Sequence, residues 1–364
     1  MTLLVFTITT SVLTLFLAFI FHAILYSPIS PQPLLIPSSQ PPSSNNILQK
    51  VEKLGEGELL GPEDVAIGKD GDSLFLYTVT RDGWLKRMHS NGTWESWKMI
   101  GGDGLLGITV SMDGGFLVCD AHKGLLKVAE GGVVVLASQV DDDGSQIRFA
   151  DAVIEAKDGS IYFSDASTKF GFHEWYLDAL EARPHGRLLK FNPHTNTTSI
   201  LVSQLYFANG VALSKDQDFL LVCETFRFRC MRYWLKGELE GKLDVFIDNL
   251  PGAPDNINLA PDGSFWIALL QLRRRGLDWI HKWSLVKKMI SVHPSLVEML
   301  KGSAYRRVMV VNVASNGTFI SALDDSTGRI MSFVTSALEF DGHLYFGSLH
   351  NNFIGKIIFR LIYH

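Results

Sequence analysis

Six short turns built on aspartate punctuate the chain, each followed by a short apolar or alternating strand. They fall at Asp70 in KDGDSLFLYT, Asp113 in MDGGFLVCD, Asp158 in KDGSIYFSD, Asp216 in KDQDFLLVCE, Asp262 in PDGSFWIAL and Asp341 in FDGHLYFGS. The first five lie 43, 45, 58 and 46 residues apart, and the last interval of 79 contains an insertion with helical character, LDWIHKWSLVKKMISVHPSLVEMLKG. A weak period of roughly 40–50 residues is the mark of a propeller or solenoid. Each unit has room for four short strands, so the expected fold is all-β: a six-bladed β-propeller over 50–364. A TIM barrel would need helical runs between strands, and apart from 172–182 and the late insertion the chain has almost none.

Counting back seven residues from each turn aspartate gives Glu63, Leu106, Asp151, Asn209, Asp255 and Val334. If the blades are equivalent, these positions stand at one level of the ring, where each innermost strand faces the channel. Four of the six carry carboxylate or amide oxygens, and Asn256 adds another beside Asp255. Such a donor set, without Cys or His, suits Ca2+ better than zinc or copper. The plainer alternative is that each residue caps a turn, and the Asn209-Gly210 step is ordinary hairpin chemistry. Four at one offset weigh against it, because uncompensated carboxylates gathered in a channel repel one another. Expected metal ligands are therefore Glu63, Asp151, Asn209, Asp255 and Asn256.

Residues 2–26 form an uncharged apolar run long enough to cross a bilayer as a helix. Without a basic leader or a convincing small-x-small cleavage site, 1–26 is expected to be an uncleaved signal anchor in preference to a cleaved signal peptide. Residues 27–49, rich in Pro and Ser, are expected to form an extended linker, with the folded body starting near Lys50. Sequons at Asn91, Asn196 and Asn316 carry weight only in a secretory setting, and with the apolar run they favour a glycosylated body on the lumenal side of the endoplasmic reticulum or in the vacuole. Cys119, Cys223 and Cys230 allow at most one internal disulfide. Cys223 and Cys230 are the nearer pair, and three buried thiols is the equal alternative. With 46% hydrophobic residues, 20% charged and a net charge of −5, the chain is globular in composition and has no overall basic field for nucleic acid.

Four longer stretches, LEARPHGRLLKFNP, FANGVALSKD, CETFRFRCMRYWLKG and LPGAPDNI, resemble plant strictosidine synthase-like proteins, the related adipocyte plasma membrane-associated protein and, more distantly, paraoxonases. The resemblance spans about Leu54 to Ile358 and implies the same six-bladed propeller. In the paraoxonase branch a channel calcium is held by a G-x-E-D glutamate, an F-A-N-G asparagine and a D-N pair, matched by Glu63, Asn209, Asp255 and Asn256. A further family asparagine is replaced by Ala150, beside Asp151. The paraoxonase histidine of a P-H-G-I segment is matched by Leu106 in LLGI, and the strictosidine synthase glutamate by Thr335, with Glu339 too near its turn to take that place.

The resemblance thus implies a hydrolase-type architecture acting on a small-molecule ester or lactone, without strictosidine synthesis. The catalytic residues are unassigned, Asp151 and Asp255 being the candidate bases. A non-catalytic, calcium-stabilised binding propeller is the competing expectation. The segment around His185 suits a lid or a plain blade edge. The basic, Trp-containing run 273–288 suits either a membrane surface or a solvated face, and no histidine pattern has metal spacing.

Overall fold

The computed structural model describes residues 2–37, 39, 41–71, 73–273, 275–302 and 307–359. It contains two compact units: one of Met1–Pro37, His173–Arg183 and Arg274–Ala304, the other of Ser38–Phe172, Pro184–Arg273 and Tyr305–His364.

The larger unit is the propeller, six four-stranded antiparallel sheets. Blade 1 is Val65–Asp70, Ser73–Val79, Trp84–Met88 and Trp94–Met99, and blade 2 is Leu105–Val110, Phe116–Asp120, Gly124–Ala129 and Gly132–Ala137. Blade 3 is Ala150–Glu155, Ile161–Asp165, Gly186–Asn192 and Thr197–Leu205, and blade 4 is Ala208–Leu213, Phe219–Glu224, Arg229–Trp234 and Leu243–Ile247. Blade 5 is Gly252–Leu259, Phe265–Leu272, Val308–Val313 and Phe319–Asp325. Blade 6 runs Val334–Phe340, His343–Ser348 and Ile354–Ile358, and takes its outer strand, Glu52–Leu54, from the other end of the body. That borrowed strand pairs with Ile354–Ile358 and closes the circle, so blade 6 is complete only when both ends of the propeller meet. The first strand of every blade packs against the first strand of the next, and the sixth returns to the first.

Apolar side chains on both faces of each sheet hold the blades together, as burial on two faces requires. Tyr77, Phe116 and Val118 join blades 1 and 2, while Leu117, Phe163 and Phe191 join blades 2 and 3. Trp266, Val310, Leu344 and Phe346 join blades 5 and 6. Fully burying a side chain such as Phe163 contributes about 1.5–3 kcal/mol relative to leaving it exposed. Cys223 and Cys230 face each other across the second and third strands of blade 4 and are joined as a disulfide, whereas Cys119 is a buried thiol.

The body begins earlier than the Pro/Ser content of 27–49 suggests. The backbone N–H groups of Asn45 and Asn46 both donate to Asp324 Oδ1 at 2.8 Å, and Leu48 is fully buried in the core between blades 5 and 6. Asp325 secures the same seam: it accepts from Gln49 Nε2 and from the backbone N–H groups of Thr327, Gly328, Ile330 and Met331.

The smaller unit contains α1 (Thr2–Tyr26), α2 (Trp175–Glu181), α3 (Arg275–His281), α4 (Ser284–Ser291) and α5 (Pro294–Gly302). Over Val5–Tyr26 the mean hydropathy is 2.2 and the helix is almost wholly exposed, so it is long and apolar enough to span a membrane or serve as a signal. Near its end Ala23 is buried and Phe19 meets the His293 ring edge-on. Residues 27–37 are extended, as their prolines dictate, but they are not a free spacer. A chain in this conformation makes no internal backbone-to-backbone hydrogen bonds, and here the helices supply partners. Gln32 N–H donates to Glu181 O, Leu34 N–H to His281 O and Lys287 Nζ to Gln32 O at 2.6 Å, with Ile29 and Leu34 buried.

The Gln49 amide and the backbone N–H groups of Thr327, Gly328, Ile330 and Met331 hold the Asp325 carboxyl down at about 2 despite its burial. A carboxylate depressed below its unfolded value stabilises the fold above pH 4 or so, and that contribution is lost as pH falls through about 2. Asp325→Ala leaves several buried N–H groups unpaired and is expected to cost about 2–4 kcal/mol in urea unfolding at neutral pH, with the difference from wild type shrinking in acid.

Candidate metal centre

Five of the six inner strands depart from regular pairing near their starts, three of them where the polar residues stand. Register shifts fall between Leu105 and Ile108, Ala150 and Val153, Ala208 and Val211, Pro254 and Ile257, and Val334 and Ser336. A bulge releases side chains from strict alternation and re-aims them. Asp151, Asn209, Asp255 and Asn256 lie inside such bulges, which is how the consecutive Asp255 and Asn256 serve one site. Glu63 comes two residues before the inner strand of blade 1. Its carbonyl accepts from the Thr335 hydroxyl of blade 6.

The Asn-Gly step at 209–210 is part of an inner strand and not a hairpin turn. A side chain at Gly210 would collide with the backbone of Asp255 and Asn256 on the next blade, and one at Gly347 would collide with the Glu63 carbonyl. The missing Cβ atoms let neighbouring strands approach closely enough for their polar side chains to converge.

All five polar residues are buried, each at most 5% exposed. Asn256 Nδ2 donates to Glu63 Oε1 at 2.8 Å, and the Asn209 side chain hydrogen-bonds Asp255. Burial, then the charges of Asp64, Asp255 and Asp151, drives the Glu63 carboxyl well above its usual range. Asp151 is raised in the same way by burial and then by Asp255, Asp64 and Asp165. Burial pushes Asp255 up to about 8, the Asn209 hydrogen bond opposing it. Asp64, also buried, is fully engaged in joining blades: Oδ1 accepts from Val65 N–H and the Ser336 hydroxyl, and Oδ2 from Ile108 N–H at 3.0 Å.

Two buried oxygens in this cluster have no hydrogen-bond partner, Glu63 Oε2 of blade 1 and Asn209 Oδ1 of blade 4. Orphaned acceptors are rare in folded proteins, and here they belong to a group of carboxylates that raise one another's proton affinity. Hard oxygen donors, negative charge and unsatisfied acceptors together fit a divalent cation such as Ca2+. The other two ring positions are apolar: Leu106 packs with Ala121, Phe149, Ala166 and Phe207, and Val334 is wholly buried. Ala150, in place of the family asparagine, is sealed in the core between blades 2 and 3.

The aromatic wall next to the ring was not legible as a site in the sequence. Phe149 and Phe207 immediately precede the inner strands of blades 3 and 4 and meet edge-on at 5.2 Å between centroids. Phe226 and Phe172 extend the wall on either side, and the Arg81 guanidinium lies 4.3 Å from the Phe172 centroid. Arg81 Nη1 is buried without a hydrogen-bond partner, and the guanidinium is within electrostatic reach of Glu63 and Asp103. The only sequence signal was a phenylalanine, Phe149 or Phe207, one residue before a strand start, indistinguishable from core. Glu339 stands apart, in the far half of its strand, accepting from Trp266 Nε1 at 2.8 Å.

Comparison with known proteins agrees with this architecture. The strictosidine synthase family model matches residues 151–238, and the strictosidine synthase-like N-terminal model matches 43–88. Protein STRICTOSIDINE SYNTHASE-LIKE 4 of Arabidopsis thaliana is 37% identical over 328 residues, covering 88% of this chain and 85% of its own length. This chain belongs to the strictosidine synthase-like family. A second relative, the human adipocyte plasma membrane-associated protein, is 32% identical, over 93% of this chain and 86% of its own. Among solved structures, a gluconolactonase from Xanthomonas campestris superposes with a TM-score of 0.59 at 13% identity, covering 91% of this chain and 98% of its own. The calcium-binding protein regucalcin from Agrobacterium tumefaciens gives 0.56 at 14%, covering 84% and 92%. At these identities the two structures establish the shared propeller fold of this strictosidine synthase-like chain.

Buried carboxyls with raised proton affinity make the cation-free protein less stable as pH rises from the unfolded carboxylate range, near 4, through about 8 for Asp255. Thermal unfolding of chelator-treated protein is therefore expected to show Tm falling between pH 5 and pH 8. Ca2+ at about 100 times its Kd should restore about 2.7 kcal/mol and flatten the profile; Glu63→Gln and Asn209→Leu should weaken that restoration.

Proposed function

We propose that the propeller is a metal-dependent hydrolase of small apolar esters or lactones, resident in the secretory pathway at the endoplasmic reticulum or vacuole and held at a membrane by α1. The observation that carries this reading is the pair of unpartnered buried oxygens, Glu63 Oε2 and Asn209 Oδ1, set among Asp151, Asp255 and Asn256. Those five residues would hold the cation, and Ca2+ suits their oxygen donors. When bound, the ion supplies Lewis acidity toward a substrate carbonyl.

The chain's own residues supply the rest. Asp255 and Asp151 are the candidate bases, each through a carboxylate oxygen that the cation does not occupy. Phe149, Phe207 and Phe226 form an apolar wall that excludes water and receives the hydrocarbon part of a substrate. Arg81, with a spare N–H beside Phe172, receives an acyl or carboxyl oxygen. The names gluconolactonase and regucalcin belong to fold neighbours, and lactone hydrolysis with a bound calcium is compatible with this site. Strictosidine synthesis is not proposed: at the corresponding position Thr335 is buried and its hydroxyl is engaged with the Glu63 carbonyl.

A second reading, a calcium-stabilised propeller that binds a small ligand without turnover, is favoured by one observation. Leu106, at the position of the paraoxonase histidine, is locked into the aromatic wall, leaving no imidazole at that ring position. Aryl-ester and lactone hydrolysis with and without a chelator separates the two. The hydrolase reading expects chelation to abolish turnover and Glu63→Gln or Asp255→Ala to lower kcat/KM by about 10²-fold or more. Arg81→Met should raise KM more than it lowers kcat. Absence of turnover across the substrate panel, with cation binding intact, establishes the binding reading instead.

A further inference from the structure

Turns between the third and fourth strands of a blade form a class of their own. They comprise 89–93 in blade 1, 130–131 in blade 2, 193–196 in blade 3, 235–242 in blade 4 and 314–318 in blade 5. Blade 6 has none, because its fourth strand is the borrowed Glu52–Leu54. All three N-x-[ST] matches place their asparagine in this class: Asn91 in blade 1, Asn196 in blade 3 and Asn316 in blade 5. Every second blade therefore carries one, about a third of a turn apart around a six-bladed ring.

Turn chemistry accounts for part of each motif. Gly92 and Gly317 adopt φ of 83° and 88°, and Asn196 itself is left-handed at 55°. The same aspartate-x-serine turn, with the serine hydroxyl donating to the aspartate, recurs outside the sequons at Asp143–Ser145 and Asp262–Ser264, so the proposal rests on where the three asparagines stand and not on the hydroxyl. Thr93 N–H and hydroxyl both donate to Asn91 Oδ1, at 3.0 and 2.7 Å, and Thr318 N–H donates to Asn316 Oδ1 at 3.0 Å. All three asparagines are exposed, and no atom lies within 4 Å of the site a Cβ would take at Gly92. Thr198 is buried, yet only the asparagine must remain accessible once the chain has folded.

Strand direction decides which face these turns occupy. In an antiparallel four-stranded blade the third strand runs parallel to the first, so the third-to-fourth turn lies at the end where the first strand finishes. Asp151, Asn209 and Asp255 lie in the first half of their inner strands, and Glu63 precedes its own.

We propose that Asn91, Asn196 and Asn316 all carry N-linked glycans, and that the three glycans cover the propeller face opposite the end that holds the candidate metal centre. The glycosylated face is shielded from contact with other macromolecules, while the metal end carries none of the three glycans. Modification at all three sites also requires the whole propeller to enter the lumen, with α1 preceding it.

The full chain, with its own N-terminal segment, is made in a eukaryotic secretory host and treated with peptide-N-glycosidase in heavy-oxygen water. Mass spectrometry of the wild-type peptides is expected to show Asn-to-Asp conversion with label at all three positions. On gels, Asn91→Gln, Asn196→Gln and Asn316→Gln are expected each to remove one of three equal mobility steps. The peptide measurement needs no variant, so a substitution that impairs folding leaves it intact. An unlabelled asparagine at any of the three positions in the secreted or membrane-bound protein overturns the three-site arrangement. No mobility shift at all overturns the proposal entirely.

Discussion

The inner ends of the propeller are organised around a repulsion. Glu63, Asp151 and Asp255 are brought from three blades into a buried space where each raises the proton affinity of another or has its own raised. Nothing in the β-sheets calls for this arrangement, and ring closure enforces it. Once the inner strands pack in sequence and Glu52–Leu54 locks blade 6, the starts of those strands have nowhere else to go. The fold holds the carboxylates together at a cost in stability that a bound cation would relieve.

The devices that keep the ring tight differ from those that make it reactive. Asp64 spends its oxygens on the backbone of blades 1 and 2 and the Ser336 hydroxyl of blade 6, and Asp325 ties the seam next to the closing strand. Gly210 and Gly347 let adjacent backbones approach, and the bulges turn Asn209 and the Asp255-Asn256 pair toward a shared point. By contrast, Glu63 Oε2, Asn209 Oδ1 and Arg81 Nη1 remain unsatisfied although buried. Asp64 and Asp325, which tie blades together, have their oxygens engaged, whereas Glu63, Asn209 and Arg81 each keep one buried polar atom unpaired.

Much of this was written in the turns. The aspartate period gave six blades, and the seven-residue offset found Asp151, Asn209 and Asp255 because each of their bulges sits a fixed distance before the hairpin that follows it, while Glu63 stands at the same distance before its hairpin, ahead of a regularly paired strand. What the offset could not show was why it works, since a bulge has no signature separable from ordinary strand residues. The closing strand Glu52–Leu54 was hidden by its length, three residues with only one even partly buried. The Pro/Ser stretch is extended over 27–37 as expected, but its long-range contacts were not legible. Residues 27–37 lean on helices far away in sequence, and Asn45 to Leu48 join the body through Asp324 and the core between blades 5 and 6, long-range contacts that local composition does not encode. The Phe149–Phe207 wall escaped notice because aromatic residues before strands read as core. Cys223 and Cys230, undecided by spacing, are settled by their facing positions on adjacent strands.

The central claim is that the oxygens of Glu63, Asp151, Asn209, Asp255 and Asn256 hold a divalent cation. Crystals grown in Ca2+ and measured at a wavelength where calcium scatters anomalously test it most directly, paired with metal analysis after exhaustive dialysis. The account predicts one tightly held ion per chain, with an anomalous peak between Glu63 Oε2 and Asn209 Oδ1 at about 2.3–2.6 Å from each. Protein free of metal, with a water or a protonated carboxyl hydrogen bond satisfying both oxygens, would contradict it.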